Sequence, residues 1–201
     1  MGEDIDLKDL IFSEGINEVI VSTCKNAAPM GIIRKHNNLS MIVFKTSHTA
    51  SHIIRDGWIV AHICHDPLMF VKTAFEDLSE ESYIRESFQG MMIDRIKEIQ
   101  DYIVCRARVV NTTPETIYVE VTPVHFQVTP AYPVPVHRGL NNIIEATVHA
   151  TRYILNNDPK LADLIRHHGE LILRCGGERD KAALNLLFQY INKNSKPFEK
   201  V

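Results

Sequence analysis

The stretch Lys45-Thr-Ser-His-Thr-Ala-Ser-His52 places hydroxyls at Thr46, Ser47, Thr49 and Ser51 and imidazoles at His48 and His52, directly after the apolar run Leu39–Phe44. Three kinds of chemistry suit such a turn. A hydroxyl can cap the first amides of a helix and do nothing more. The same free amides, with their positive dipole end, can hold an anion such as a phosphate while the hydroxyls add donors. Two histidines four residues apart face the same way on a helix and can share a metal, with Asp66 as a possible third ligand.

The chain has ten histidines. His62 and His65 are three apart in an extended run and point to opposite faces. No Glu lies between His48 and His52, so the metalloprotease pattern H-E-x-x-H is absent. A G-x-S-x-G elbow, a G-x-G-x-x-G turn and a P-loop are absent as well, which argues against serine-hydrolase, Rossmann and P-loop chemistry. Cys24, Cys64, Cys105 and Cys175 form no C-x-x-C pair and read as reduced, mostly buried thiols. Further on, Glu145, His149 and Arg152 share one face of a helical segment, whose ordinary role is a solvated surface.

The elements that must position these residues are strands first and helices later. Glu18–Cys24, Ala27–Arg34, Leu39–Phe44, Trp58–His65, Tyr102–Val110 and Thr116–Val128 have the β-branched content and alternation of antiparallel strands with one covered face. Pro29 and Gly31 interrupt the second of these. Asn37-Asn38 reads as a turn, and Thr112-Thr113-Pro114-Glu115 as a hairpin loop. Thr49–Arg55 is expected to be a short helix. Asp66-Pro67 and Asp158-Pro159 carry the cap-then-proline signature of helix starts. Part of Met91–Ile99 is also expected to be helical. After the proline-rich Pro130–Pro135, three helical segments follow, the last two separated by Gly176-Gly177. The expected division is therefore a strand-dominated domain over residues 1–135 and a helical extension over 136–201.

The bulk numbers fit an ordinary globular protein. The 201 residues are 45% hydrophobic and 23% charged, with net charge −3 from 22 basic and 25 acidic residues. Nothing in this balance suggests a nucleic-acid or anionic-membrane surface. The N-terminal MGEDIDLKDLIFSEG has no basic start followed by an apolar core, and Asp6 departs from the myristoylation pattern. No apolar run approaches membrane-spanning length. The expected location is the cytoplasm.

Five segments, in this order, resemble a known family: Asn26–Ile32 (NAAPMGI), Lys45–Thr49 (KTSHT), Asp56–Pro67 (DGWIVAHICHDP), Arg138–Ala146 (RGLNNIIEA) and His149–Arg152 (HATR). The likeness extends over roughly residues 17 to 190 and is to an archaeal-type family of unknown function in the FMN-binding split β-barrel superfamily. That superfamily also holds flavin reductases and pyridoxamine-phosphate oxidases. The resemblance implies an α+β, mainly β fold: a six-stranded antiparallel split β-barrel with a helical C-terminal extension. It implies a homodimer binding FMN near its interface and a possible FMN-dependent oxidoreductase. The FMN phosphate would lie around Thr46, Ser47, His48, Thr49, Ser51 and His52. The ring would lie against Ala28, Pro29 and Met30 and the end of the Trp58 strand at His62, with Met30 or Trp58 covering it. His52, His62 and His137 stand where the resemblance leads one to expect Asn, which makes pH-dependent binding an expectation. A metal-binding, hydrolase-like protein using His48 and His52 and a non-catalytic flavin carrier are the alternatives.

Overall fold

The computed structural model describes residues 11–129 and 137–194. The N-terminal ten residues and Pro130–Pro135, read above as a divider, lie outside them. The described residues form eight strands: β1 (Gly15–Thr23), β2 (Asn26–Lys35), β3 (Asn38–Phe44), β4 (Trp58–His62), β5 (Tyr83–Phe88), β6 (Met91–Ile96), β7 (Tyr102–Thr112) and β8 (Thr116–Gln127). Six of them close an antiparallel barrel in the order β1-β2-β3-β8-β7-β4, with β4 pairing back onto β1. The fold is the expected six-stranded split barrel.

The barrel interior follows from alternation. Val19, Val21, Ile32, Met41, Val43, Ile59, Ala61, Ile103, Cys105, Ile117 and Val119 all point inward and are buried. Cys105 is sealed there, and burial pushes its thiol well above the usual range. β4 breaks the simple pattern because all five of its residues are buried. Its outer face is covered as well: Trp58 and Val60 pack with Tyr102, Val104 and Ile93 of β6. A strand covered on both sides reads as a continuous apolar run, which is what Trp-Ile-Val-Ala provides.

The cover is the β5–β6 hairpin, and here the structure corrects the sequence reading. Met91–Ile96 is a strand, not a helix. Ile93 and Ile96 stand three apart and suggested helical spacing, but a buried Asp94 between them masks the strand alternation. β4 also ends at His62 rather than at His65.

The pairing between β2 and β3 is short. Their ladder runs only from Ile33↔Ser40 to Lys35↔Asn38. Along its other edge β2 is paired with β1 over its whole length to Thr23↔Asn26. Pro29 has no N–H to give to a second neighbour, so the interruption the sequence signals falls in the β3 pairing and leaves β2 itself continuous. Helix α1 (His48–Asp56) follows β3, and its buried Thr49, Ala50 and Ile53 pack inward. Burying Ile53 alone contributes about 2 kcal/mol. Gly57 ends the helix at φ 69, a left-handed conformation that costs glycine little, and its amide donates to the Ile53 carbonyl.

The described residues divide into two compact units. The barrel unit runs to Cys64 and resumes at Leu78; the second takes His65–Asp77 together with residues 137–194. The second unit groups α2 (Pro67–Phe75) with α3 (Arg138–Asn156), α4 (Pro159–Cys175) and α5 (Glu178–Asn194). Val71 of α2 shares a core with Ile143, Ala146, Ile165, Ile172, Leu187 and Ile191. Asp66 and Asp158 cap α2 and α4 as their Asp-Pro signatures predict. Asp66 is also held by the Arg179 guanidinium. Gly139 lets α3 approach Asp180 closely: a Cβ there would meet Asp180 Oδ2 at 2.5 Å. No helix among the described residues is long and apolar enough to cross a membrane.

Candidate functional site

The hydroxyl-rich turn divides its labour. Ser47 is the N-cap of α1: its hydroxyl accepts from the Ala50 amide at 3.1 Å and donates to the Phe44 carbonyl at 2.8 Å. Thr49 faces away from solvent, 1% exposed, and its Oγ1 accepts from Asn26 Nδ2 at 3.0 Å. That bond ties the first turn of α1 to the start of β2. Thr46, His48 and Ser51 remain exposed around the helix N-terminus. Ser51 makes only a long 3.4 Å bond back to the Ser47 carbonyl. One serine thus serves as a cap and one threonine as a structural tie, while two hydroxyls and a histidine remain on the surface. No Asp or Glu occupies the first turn of α1, so nothing there opposes an anion.

The histidines separate in the same way. His52 Nδ1 lies 2.9 Å from Thr23 Oγ1, and burial, followed by the nearby Arg55 charge, lowers its pKa. That contact leaves only Nε2 of His52 open. Among the described residues no group of three His, Cys, Asp or Glu side chains is placed to hold a metal. His62 is fully buried. Its Nε2 lies 2.9 Å from Ser22 Oγ and 3.3 Å from the Ile96 amide, and Ser22 Oγ donates to the Asp94 carbonyl at 2.7 Å. Burial, then the Arg95 charge, pushes the His62 pKa down to about 3, so the ring is neutral. Its work is to fasten β6 onto β1 and β4.

His137 is the N-cap of α3. Its Nδ1 accepts from the Leu140 amide at 3.1 Å and caps α3. Its Nε2 faces Asp180 at 3.8 Å.

Of the ten residues expected to hold FMN, the structure brings Thr46, Ser47, His48 and Ser51 together at the α1 N-terminus. Ala28, Pro29 and Met30 are half-buried on the part of β2 that has no β3 partner. Thr49 and His62 are turned inward, and His52 is tied to Thr23. Trp58 is under the β5–β6 hairpin, and Met30 leans on the barrel interior. Asn26, only 8% exposed and bonded to Thr49, adjoins them and is not among the ten. Its place at the head of NAAPMGI was the available signal. The unpaired stretch of β2 and the start of α1 are neighbours through the Asn26–Thr49 bond. The result is a strand edge with free backbone groups next to a helix N-terminus ringed by hydroxyls.

Comparison with known proteins bears on this geometry. No curated protein matches the chain. Residues 17–130 match the family model described as the N-terminal domain of a protein of unknown function (DUF447), and residues 137–189 match the model of its second part. Among solved structures, an FMN-bound DUF447 protein of Methanosarcina mazei is 32% identical with TM-score 0.84, covering 92% of this chain and 100% of its own. Nitrilotriacetate monooxygenase component B of Bacillus cereus is 18% identical with TM-score 0.47, over 69% of this chain and 84% of its own. Flavoredoxin of Methanosarcina acetivorans is 13% identical with TM-score 0.45, over 66% and 79%. The matches in both parts and the full-length relative make this chain a member of the DUF447 family.

Proposed function

We propose that this protein binds FMN at the α1 N-terminus and the unpaired stretch of β2, and that it is an FMN-dependent oxidoreductase working as a cytoplasmic homodimer. The observation that carries the reading is the adjacency of those two features, in a chain 32% identical over almost its full length to an FMN-bound protein. FMN is a phosphate monoester joined to a ring with a polar edge, and the two features suit its two ends. The free amides of the first turn, with Thr46 and Ser51, would hold the phosphate. Ser47 would keep the turn in shape. Backbone groups of Ala28–Met30 that lack a β3 partner would meet the polar edge of the ring, and the Pro29 and Met30 side chains would keep water from it.

When bound, FMN supplies the electron-transfer chemistry; the protein sets its access and potential. Asn26 acts by position, because its bond to Thr49 sets the distance between the phosphate end and the ring end. Support for the dimer comes from apolar side chains on neighbouring strands: Ile42 and Phe44 of β3 and Tyr118 of β8 are 47%, 65% and 36% exposed, with Ile42 opposite Tyr118. Such a face suits a second copy.

The test is an absorbance spectrum of protein incubated with FMN and desalted, followed by anaerobic addition of NADH or NADPH. Retained flavin that bleaches supports the whole reading. Retained flavin that neither donor reduces leaves a carrier. Protein that emerges colourless refutes FMN binding.

A further inference from the structure

A second cavity, away from the α1 N-terminus, lies on the outer side of the barrel unit. It has a volume of about 460 Å³ and lies between the C-terminal end of α1 and the β5–β6 hairpin. Trp58, Cys24, Arg85, Met91, Met92 and Asp94 line it, with Arg55 and Asp56 beside them. Asp94 is the informative member. Its side chain is 1% exposed, and neither carboxylate oxygen has a hydrogen-bond partner. Its nearest counter-charge is Arg85, directly across the hairpin, with Nε at 3.9 Å, too far for a hydrogen bond. A buried carboxylate without donors is costly to keep. The fold tolerates it here, on the wall of a cavity.

The surroundings define what would satisfy it. An ionised carboxylate only accepts, and it accepts best from two parallel N–H groups. Arg55 already pairs with Asp56 through bonds of 2.8 and 2.6 Å. The charges of Arg55, Asp56, Arg85 and Asp94 cancel, so the cavity does not call for a net cation. The Trp58 indole offers a flat apolar wall, and two methionines offer an adaptable one.

We propose that this cavity binds a neutral, planar heterocycle that presents a ring N–H beside an exocyclic amine, with a carbonyl next to that ring N–H. The two N–H groups would donate to Asp94, and the carbonyl would accept from Arg85. Guanine and pterin rings share this edge. The site is separate from the proposed flavin site and does not depend on it.

The experiment is calorimetric titration of the full-length protein with guanosine, neopterin, inosine and agmatine, with and without excess FMN. The fluorescence of Trp58, the only tryptophan in the chain, is followed in parallel. Saturable binding of guanosine, neopterin or both, accompanied by a change in Trp58 fluorescence and unaffected by FMN, is expected. Guanosine alone would point to a nucleobase, neopterin alone to a pterin. Inosine lacks the exocyclic amine and should bind roughly tenfold more weakly than guanosine, the equivalent of one lost charge-assisted hydrogen bond. Asp94→Asn should weaken the bound ring by a similar factor without lowering the melting temperature. Met92→Trp, at an exposed residue on the mouth, should obstruct entry. The proposal is overturned if no ring binds, if agmatine binds in place of the rings, if FMN displaces them, or if inosine equals guanosine and Asp94→Asn changes nothing.

Discussion

Two histidine–hydroxyl pairs in the barrel unit have the same length and opposite roles. His52 and Thr23 meet at 2.9 Å next to the exposed N-terminus of α1; His62 and Ser22 meet at 2.9 Å under the β5–β6 hairpin. The donor and acceptor chemistry is nearly the same. Burial differs: His52 is partly exposed, and His62 is sealed with its Nδ1 lacking any hydrogen-bond partner. The difference teaches that residue type does not assign the role here. The outer pair stands beside a surface that a ligand can reach. The inner pair holds two layers together and depends on staying neutral.

The largest effect expected from breaking this contrast is at His62. His62→Ala should cost about 3 kcal/mol in denaturant unfolding, through the void it leaves and the Ile96 amide that loses its acceptor. A loss below 1 kcal/mol (roughly the scale of a surface change) would mean that the inner pair is not structural.

Acid should have the next largest effect. The folded pKa of His62 lies at about 3, below the ordinary value of 6.5. Neutral His62 therefore contributes stability that is fully present above pH 6.5 and is lost as pH falls from there toward 3. At about pH 4.5, two units below the ordinary value, the loss from this group should be about 2.7 kcal/mol. Melting curves at pH 7 and at the lower pH should show it, and His62→Gln, which cannot titrate, should flatten the difference. An equal acid shift in both proteins would remove His62 from the explanation.

Thr49→Val should cost about 1–2 kcal/mol, because the substitution keeps the shape and leaves the buried Asn26 amide unpaired. It should also weaken FMN binding, by loosening the tie between α1 and β2. His52→Ala should be the mildest, about 0.5 kcal/mol in the same unfolding measurement. A cost matching that of His62→Ala would erase the contrast between the two pairs.

Much of this fold was legible in the residues. Alternation in Tyr102–Val110 and Thr116–Val128 gave the longest strands. Asp-Pro pairs gave two helix starts, and Gly176-Gly177 gave the end of α4. Pro29 and Gly31 did not break β2, which runs unbroken from Asn26 to Lys35 in its pairing with β1. The β5–β6 hairpin stayed hidden because Asp94 is buried where alternation leads one to expect an exposed position. Without that hairpin, neither the second cavity nor the burial of His62 could be foreseen. The candidate site was half legible. The run KTSHTASH marked a helix start rich in hydroxyls, but only three-dimensional contacts reveal that Ser47 caps, that Thr49 faces Asn26, and that Thr46 and Ser51 remain outside.

Ser51→Asp tests the central claim most directly, with FMN and riboflavin titrated separately into wild type and variant. An acidic residue in the first turn favours the helix dipole, so the fold should be as stable or slightly more so. The same charge would repel a phosphate bound there. FMN affinity should fall roughly tenfold or more while riboflavin affinity stays the same. Unchanged FMN affinity, or an equal loss for both flavins, would contradict placement of the phosphate at the α1 N-terminus.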